Sequence, residues 1–177
     1  KTGELQVVFI TRSQKFPQKN AIIRDINQQL PEVVSIMQNV QPAKTSLVMG
    51  DETIHLWGKD AIEEHLNEVT FDLSPRAFFQ LNPQQTEVLY NEGIKALAIQ
   101  PNETIVDAYC GVGTIGLSVA KQAKEIRGMD VIPQAIDDAR KNAQRLGYTN
   151  THYEVGTAEE LLPKWLEEGF EPDGIIV

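Results

Sequence analysis

One cysteine, Cys110, stands in a chain of 177 residues. It can form no internal disulfide and no multi-cysteine metal site. Histidine is almost as scarce. His55, His65 and His152 fall in separate segments, without the spacing of a metal-ligand set. No apolar run approaches the roughly 18 residues that a membrane-spanning helix needs. The opening Lys1-Thr2-Gly3-Glu4 lacks the apolar stretch of a signal peptide. Positive charge is also in short supply: the formal net charge is -9. Residues 1–70 carry 7 basic and 9 acidic side chains, and residues 71–177 carry 9 and 16. Such a surface repels phosphate backbones at long range, so the chain alone is expected to bind nucleic acid weakly or not at all. No membrane and no metal enter the expectation, and the expected location is the cytoplasm.

What is present is globular. Hydrophobic residues make up 41% and charged residues 23%, which speaks against a disordered chain. Residues 1–70 are expected to form a small α+β subdomain. Residues 4–11 predict a strand. Ile22, Ile23, Ile26 and Leu30 follow helical spacing up to Pro31, and Val33 to Met37 predict a second strand. Leu47-Val48-Met49, Gly50-Asp51 and Thr53 to Trp57 predict a hairpin, and Val69, Phe71 and Leu73 alternate as a strand.

Residues 71–177 change character. Asn82 and Pro83 open a helix with Leu89, Tyr90, Ile94 and Leu97 on one face. Strands are expected at Thr104–Asp107, Ile126–Asp130, Thr151–Val155 and Gly174–Val177. Helices are expected at about Thr114–Lys124, from Pro133 to the cap Gly147, and at Glu159–Glu167. The alternation predicts an α/β fold, Rossmann-like, with a parallel sheet covered on both faces. The chain starts inside a strand and stops in an apolar run, so it is expected to be a piece of a longer protein.

Gly111-Val112-Gly113-Thr114-Ile115-Gly116 reads G-x-G-x-x-G between a strand and a helix. Asp130 ends the next strand, 19 residues after Gly111, where a carboxylate can accept from both ribose hydroxyls. A nicotinamide dinucleotide and S-adenosylmethionine both fit that pattern. Asp107 separates them, because a carboxylate at this loop repels a pyrophosphate and tolerates an ammonium and a sulfonium. Asp107 either meets such a ligand or caps the turn that follows.

Three segments carry a resemblance. Ser74-Pro75-Arg76-Ala77-Phe78-Phe79-Gln80-Leu81-Asn82 resembles the S-P-x-x-F-F-Q-x-N segment of RNA uracil-C5 methyltransferases. Asp107-Ala108-Tyr109-Cys110-Gly111-Val112-Gly113-Thr114 resembles that family's D-x-Y-C-G-x-G-x loop. Ala139-Arg140-Lys141-Asn142-Ala143 resembles its A-x-x-N-A helix. The likeness covers nearly the whole chain and is nearest to bacterial members acting on 23S ribosomal RNA, with tRNA-modifying members as the alternative. It implies a truncated S-adenosylmethionine-dependent methyltransferase domain and S-adenosyl-L-methionine as cofactor. It implies cofactor contacts from Gln80, Tyr109, Gly111, Gly113, Thr114 and Asp130, with Thr157 near the adenine. Asp130 stands where the family usually has Glu. The family's D-P-P-R motif, nucleophilic cysteine, general base and oligonucleotide-binding barrel have no counterpart in these residues, so no catalytic residue is assigned and the chain alone is expected to be inactive. Cys110 belongs to the glycine loop and reads as a buried structural thiol. Phe78 and Phe79 read as core; for Tyr109 core packing is the alternative, and for Gln80 a helix cap. Two rivals remain: a nicotinamide-dependent oxidoreductase using the same loop, and a methyltransferase-like module that only binds.

Overall fold

The computed structural model describes residues 2–177, which divide into two compact units. The first runs to Glu64 and includes Asp72–Arg76; the second comprises His65–Phe71 and Ala77–Val177. In the first, β1 (Leu5–Thr11) is followed by α1 (Lys19–Gln29), β2 (Val33–Val40) and β3 (Glu52–Gly58). β1 and β2 are parallel and β3 is antiparallel to β2, giving the order β1-β2-β3. Strands β4 (Ile62–Leu66) and β5 (Val69–Leu73) form a two-stranded sheet in which the chain leaves the first unit and returns to it.

The central strand β2 buries three polar side chains, Ser35, Gln38 and Asn39. Each is bonded, as burial demands. Gln38 Nε2 donates to Thr11 Oγ1 at 2.9 Å and to the carbonyls of Ser13 and Gln14 at 3.2 Å. Asn39 accepts from Gly50 N at 2.7 Å and donates to Gly50 O at 2.9 Å. That clamp corrects the expected hairpin. Leu47-Val48-Met49 is a loop, and β3 takes β2 as its partner. β2 also continues past Met37 to Val40, and β4 has no counterpart in the apolar pattern.

The second unit contains α2 (Pro83–Leu97), β6 (Thr104–Ala108), α3 (Thr114–Val119), β7 (Glu125–Asp130), α4 (Pro133–Arg145), β8 (Thr151–Val155), α5 (Ala158–Glu167) and β9 (Gly174–Ile176). Its sheet is wholly parallel, in the order β8-β7-β6-β9. β6 is buried throughout because both faces are covered. Ile105 packs with Val119, Ala120 and Ile126, whereas Val106 and Ala108 pack with Met129, Leu161 and Trp165. The expected α/β architecture is therefore present.

Helix ends follow local chemistry. Asn82 Oδ1 accepts from Gln85 N at 3.3 Å, with Pro83 opening α2. Gly147, at φ +74°, closes α4 with two bonds, Tyr148 N to Ala143 O and Gly147 N to Gln144 O. α3 ends at Val119, five residues short of the expected Lys124. Asn150 explains the difference: its Nδ2 donates to the carbonyls of Ala120 at 2.7 Å and Ala123 at 3.1 Å and holds them out of a helix.

Candidate functional site

The strand order of the second unit reverses at β6, which has β7 on one flank and β9 on the other. Open α/β sheets hold ligands in the crevice at the carboxyl ends beside such a reversal. A cavity of about 500 Å³ lies there, within the range of small-molecule sites. Residues 107–112 form its floor, Thr114 and Ile115 open α3 beside them, and Ile175 and Ile176 come from β9. The residues before α2 supply Phe78, Phe79 and Gln80, and α2 supplies a flank that includes Tyr90 and Ile94.

Of the six residues expected at a cofactor, Gln80, Tyr109, Gly111 and Thr114 line this cavity. Gly113 and Asp130 do not. Asp130 sits one bond behind it: Oδ2 accepts from Gly111 N at 3.0 Å, and Oδ1 from Ile132 N at 2.9 Å. Each oxygen keeps a further lone-pair site, enough for two hydroxyls. Thr114 Oγ1 lies 3.3 Å from Tyr90 Oη, so its hydroxyl is already oriented. Thr157 is the residue preceding α5, where its N–H donates to Glu160 Oε2 at 3.4 Å, and it is not among the lining residues.

Tyr109 is 58% exposed, which removes the core-packing alternative. It also has φ +60°, a left-handed conformation that costs a non-glycine residue roughly 1–2 kcal/mol. Such strain persists only where the surrounding structure over-determines the conformation. Tyr109→Gly is expected to leave stability within about 1 kcal/mol, because relief of that strain offsets glycine's added chain entropy. The same change removes the ring from the cavity. A thermal melt beside a ligand titration checks the pair of outcomes. Phe78 is 70% exposed, which corrects its reading as core. Leu89 is 68% exposed and faces the cavity. The helical pattern that placed it with the α2 core face could not distinguish a cavity wall from a packed one.

Asp107 supplies the cavity's electrostatics. It is 2% exposed, and its Oδ2 accepts from Gly116 N at 2.8 Å, so it caps the first turn of α3. It also lines the cavity, where no Lys, Arg or His among the described residues accompanies it. Burial pushes its carboxyl up to about 7, the Gly116 N–H opposes that rise, and the Asp130 carboxylate adds to it. The capping and ligand-facing alternatives are therefore compatible. Cys110 is buried, and burial drives its thiol far above its ordinary value, so it is inert as a nucleophile. No group of His, Cys, Asp and Glu among the described residues could hold a metal ion, and no helix among them is long and apolar enough to cross a membrane.

Residues 99–172 match a family model described as a methyltransferase domain. A protein of Enterococcus faecalis named as an uncharacterized RNA methyltransferase is 79% identical over 99% of this chain, which covers 39% of that protein. One of Listeria innocua with the same description is 60% identical over the whole chain, again covering 39% of its length. A solved structure, the Pyrococcus abyssi tRNA (uracil-54, C5)-methyltransferase in complex with S-adenosyl-L-homocysteine, is 30% identical. It covers 89% of this chain and 37% of that one, with a TM-score of 0.70. The chain is similar to bacterial proteins named as RNA methyltransferases. The chain spans about two fifths of the length of the curated RNA methyltransferases it matches.

The second glycine of the loop has a packing reason. Gly113 has φ +80°, and a Cβ there would stand 2.9 Å from Tyr153 Oη. Gly111, at φ +55°, has open space where its Cβ would be, on the cavity side of the loop. Gly113→Ala is thus expected to cost about 2 kcal/mol of stability from conformation and crowding together. Denaturant unfolding of the two alanine variants checks the order, with Gly111→Ala the milder.

Proposed function

We propose that this chain holds the methyl donor of an enzyme that methylates C5 of uracil in RNA, with S-adenosyl-L-methionine as cofactor. The observation that carries the reading is a cavity at the carboxyl end of β6 whose one charged side chain, among the described residues, is that of the buried Asp107. A ligand bearing an ammonium and a sulfonium suits it, and a pyrophosphate does not. In this reading Asp130 accepts from the ribose hydroxyls, Gly111 gives the ligand room, and Tyr109, Gln80 and Thr114 contact the donor. Gly113 contributes by keeping the loop in place. The donor supplies an electrophilic methyl group on sulfur; the residues of this chain bind and orient it. The S-P-x-x-F-F-Q-x-N resemblance and the tRNA uracil-C5 methyltransferase relative support uracil as the target base. Ribosomal RNA of the large subunit is the proposed substrate, with tRNA the competing one.

Calorimetric titration with S-adenosylhomocysteine and, separately, NADH tests the donor. Binding of the first alone is expected, and binding of NADH alone sinks the reading. Asp130→Ala is expected to weaken S-adenosylhomocysteine at least tenfold and to cost about 1–3 kcal/mol, because Gly111 N and Ile132 N lose their acceptor. The same titration, run beside a thermal melt, separates the two losses. Methyl transfer to RNA by this chain alone would contradict the proposal that catalysis needs residues outside it.

A further inference from the structure

We propose that the end of the first unit's sheet at which β1 and β2 terminate is a contact surface for the phosphodiester backbone of RNA. The net charge of the chain hides a segregation that the topology creates. β1 and β2 are parallel, so the loops that follow them, residues 12–18 and 41–51, emerge at one end. Those loops and the start of α1 carry Arg12, Lys15, Lys19 and Lys44, all exposed. Among the described residues none of the four has a carboxylate within ion-pair distance. Four acids of this unit lie at the other end, where Glu4 is paired with Lys59. Glu4 and Glu32 precede β1 and β2, Asp60 follows the antiparallel β3, and Glu63 N donates to Glu4 Oε2 at 3.1 Å. Of the two acids at the basic end, Asp51 is paired with Arg76 at 3.3 Å, and Glu52 accepts from Gln14.

The basic end is built rather than loose. Arg12 Nη1 donates to Ala43 O at 2.7 Å, joining the two loops, and the buried Gln38 and Asn39 amides hold both from beneath. α1 adds to the field, since its first turn contains no acid and its N-cap, Gln18, makes no side-chain bond. The positive end of its dipole therefore stays uncompensated beside Lys19. Leu47 and Val48 stand 69% and 71% exposed on the second loop. Cations spread over two hydrogen-bonded loops, with apolar side chains on the second, fit a strand that offers phosphates and base faces together.

This inference rests on the chain being part of an RNA-modifying enzyme, and its test is separate from the donor site. Fluorescence anisotropy of a labelled single-stranded RNA measures binding by the chain as it stands. Four contacts predict a salt slope of about -3 and a loss of about 20-fold between roughly 50 and 150 mM salt. Lys15→Gln, Lys19→Gln and Lys44→Gln together should leave about a twofold salt effect. Lys121→Gln, Lys124→Gln and Lys141→Gln remove the same charge from exposed positions of the second unit and should keep the original slope. Equal effects of the two triple variants, or no salt-dependent binding by the parent chain, overturn the surface. S-adenosylhomocysteine titration of the first triple variant is expected to match the parent. Loss of donor binding by the parent would overturn the proposed cofactor site and leave the RNA surface to stand on its own data.

Discussion

Asp107→Asn is expected to flatten a pH dependence of stability that the parent chain shows between about pH 4 and pH 7. In the unfolded chain this carboxyl ionises near its ordinary 3.8, and in the fold only near about 7. Across that window the unfolded state is the one that has released the proton. Rising pH therefore favours unfolding until the folded group also ionises, and the dependence levels off above about 7. A shift of this size corresponds to a stability loss on the order of 4 kcal/mol across the window. The asparagine variant keeps an acceptor for Gly116 N but has no proton to lose. Thermal or denaturant unfolding of both chains across that range, taken as a difference, isolates Asp107 from the other carboxylates. A difference that does not change with pH would show that the carboxyl is not held in its neutral form.

The same residue fixes the sign of a ligand effect. The groups facing Asp107 are Asp130 from β7, the Cys110 thiol and the Tyr153 phenol, and none is cationic. A ligand that brings positive charge into the cavity favours the carboxylate, so binding expels a proton. Affinity should then rise with pH up to about 7 and level off, with proton release visible as a buffer-dependent heat. A pyrophosphate ligand gives the opposite slope, since it binds best while Asp107 is neutral. One unit charge at close range in a partly shielded site is worth a few kcal/mol. Asp107→Asn should accordingly weaken a cationic donor by about 100-fold at pH 8 and leave little change at pH 5. A falling affinity for S-adenosyl-L-methionine, which carries the sulfonium, over the same window would sink the cationic-ligand reading.

Much of this site was legible in the sequence because it is local. Asp107, Tyr109, Gly111 and Thr114 lie within eight consecutive residues, and a strand, a glycine loop and a helix must place them at one end of the sheet. Asp130 was legible because a parallel crossover returns the next strand beside the first. Less legible were features set by side chains reaching across the fold. Asn39 takes Gly50 and cancels a hairpin that the apolar pattern predicts. Asn150 stops α3 early from a loop beyond the next helix. The exposure of Phe78 and Leu89 follows from a cavity, and apolar spacing reads a cavity wall and a core face alike. Charge totals carry no information on placement. They average over a unit whose parallel strands place Arg12, Lys15, Lys19 and Lys44 at one end and Glu4 and Glu32 at the other.

Tyr153 is the clearest residue of that second kind, and it carries the last prediction. It lies on β8, two strands from β6, yet its side chain supports the glycine loop. A Cβ on Gly128 would meet its ring at 2.4 Å, and one on Gly113 would meet its hydroxyl at 2.9 Å. The ring is thus wedged between two positions that only glycine fits. The phenol is buried, finds no hydrogen-bond partner among the described residues, and is pushed well above its ordinary pKa by that burial. Tyr153→Phe keeps the wedge and removes the orphaned hydroxyl, so it should stabilise the chain by about 1 kcal/mol. Tyr153→Ala should cost about 3–5 kcal/mol through the cavity it leaves. It should also weaken donor binding, because Gly113 then loses the surface that fixes its left-handed turn. Unfolding curves for the two variants, with S-adenosylhomocysteine titrations of each, give opposite signs if the ring is a support. If Tyr153→Phe is destabilising by a similar amount, the hydroxyl has a polar partner in solution and the support argument falls with it.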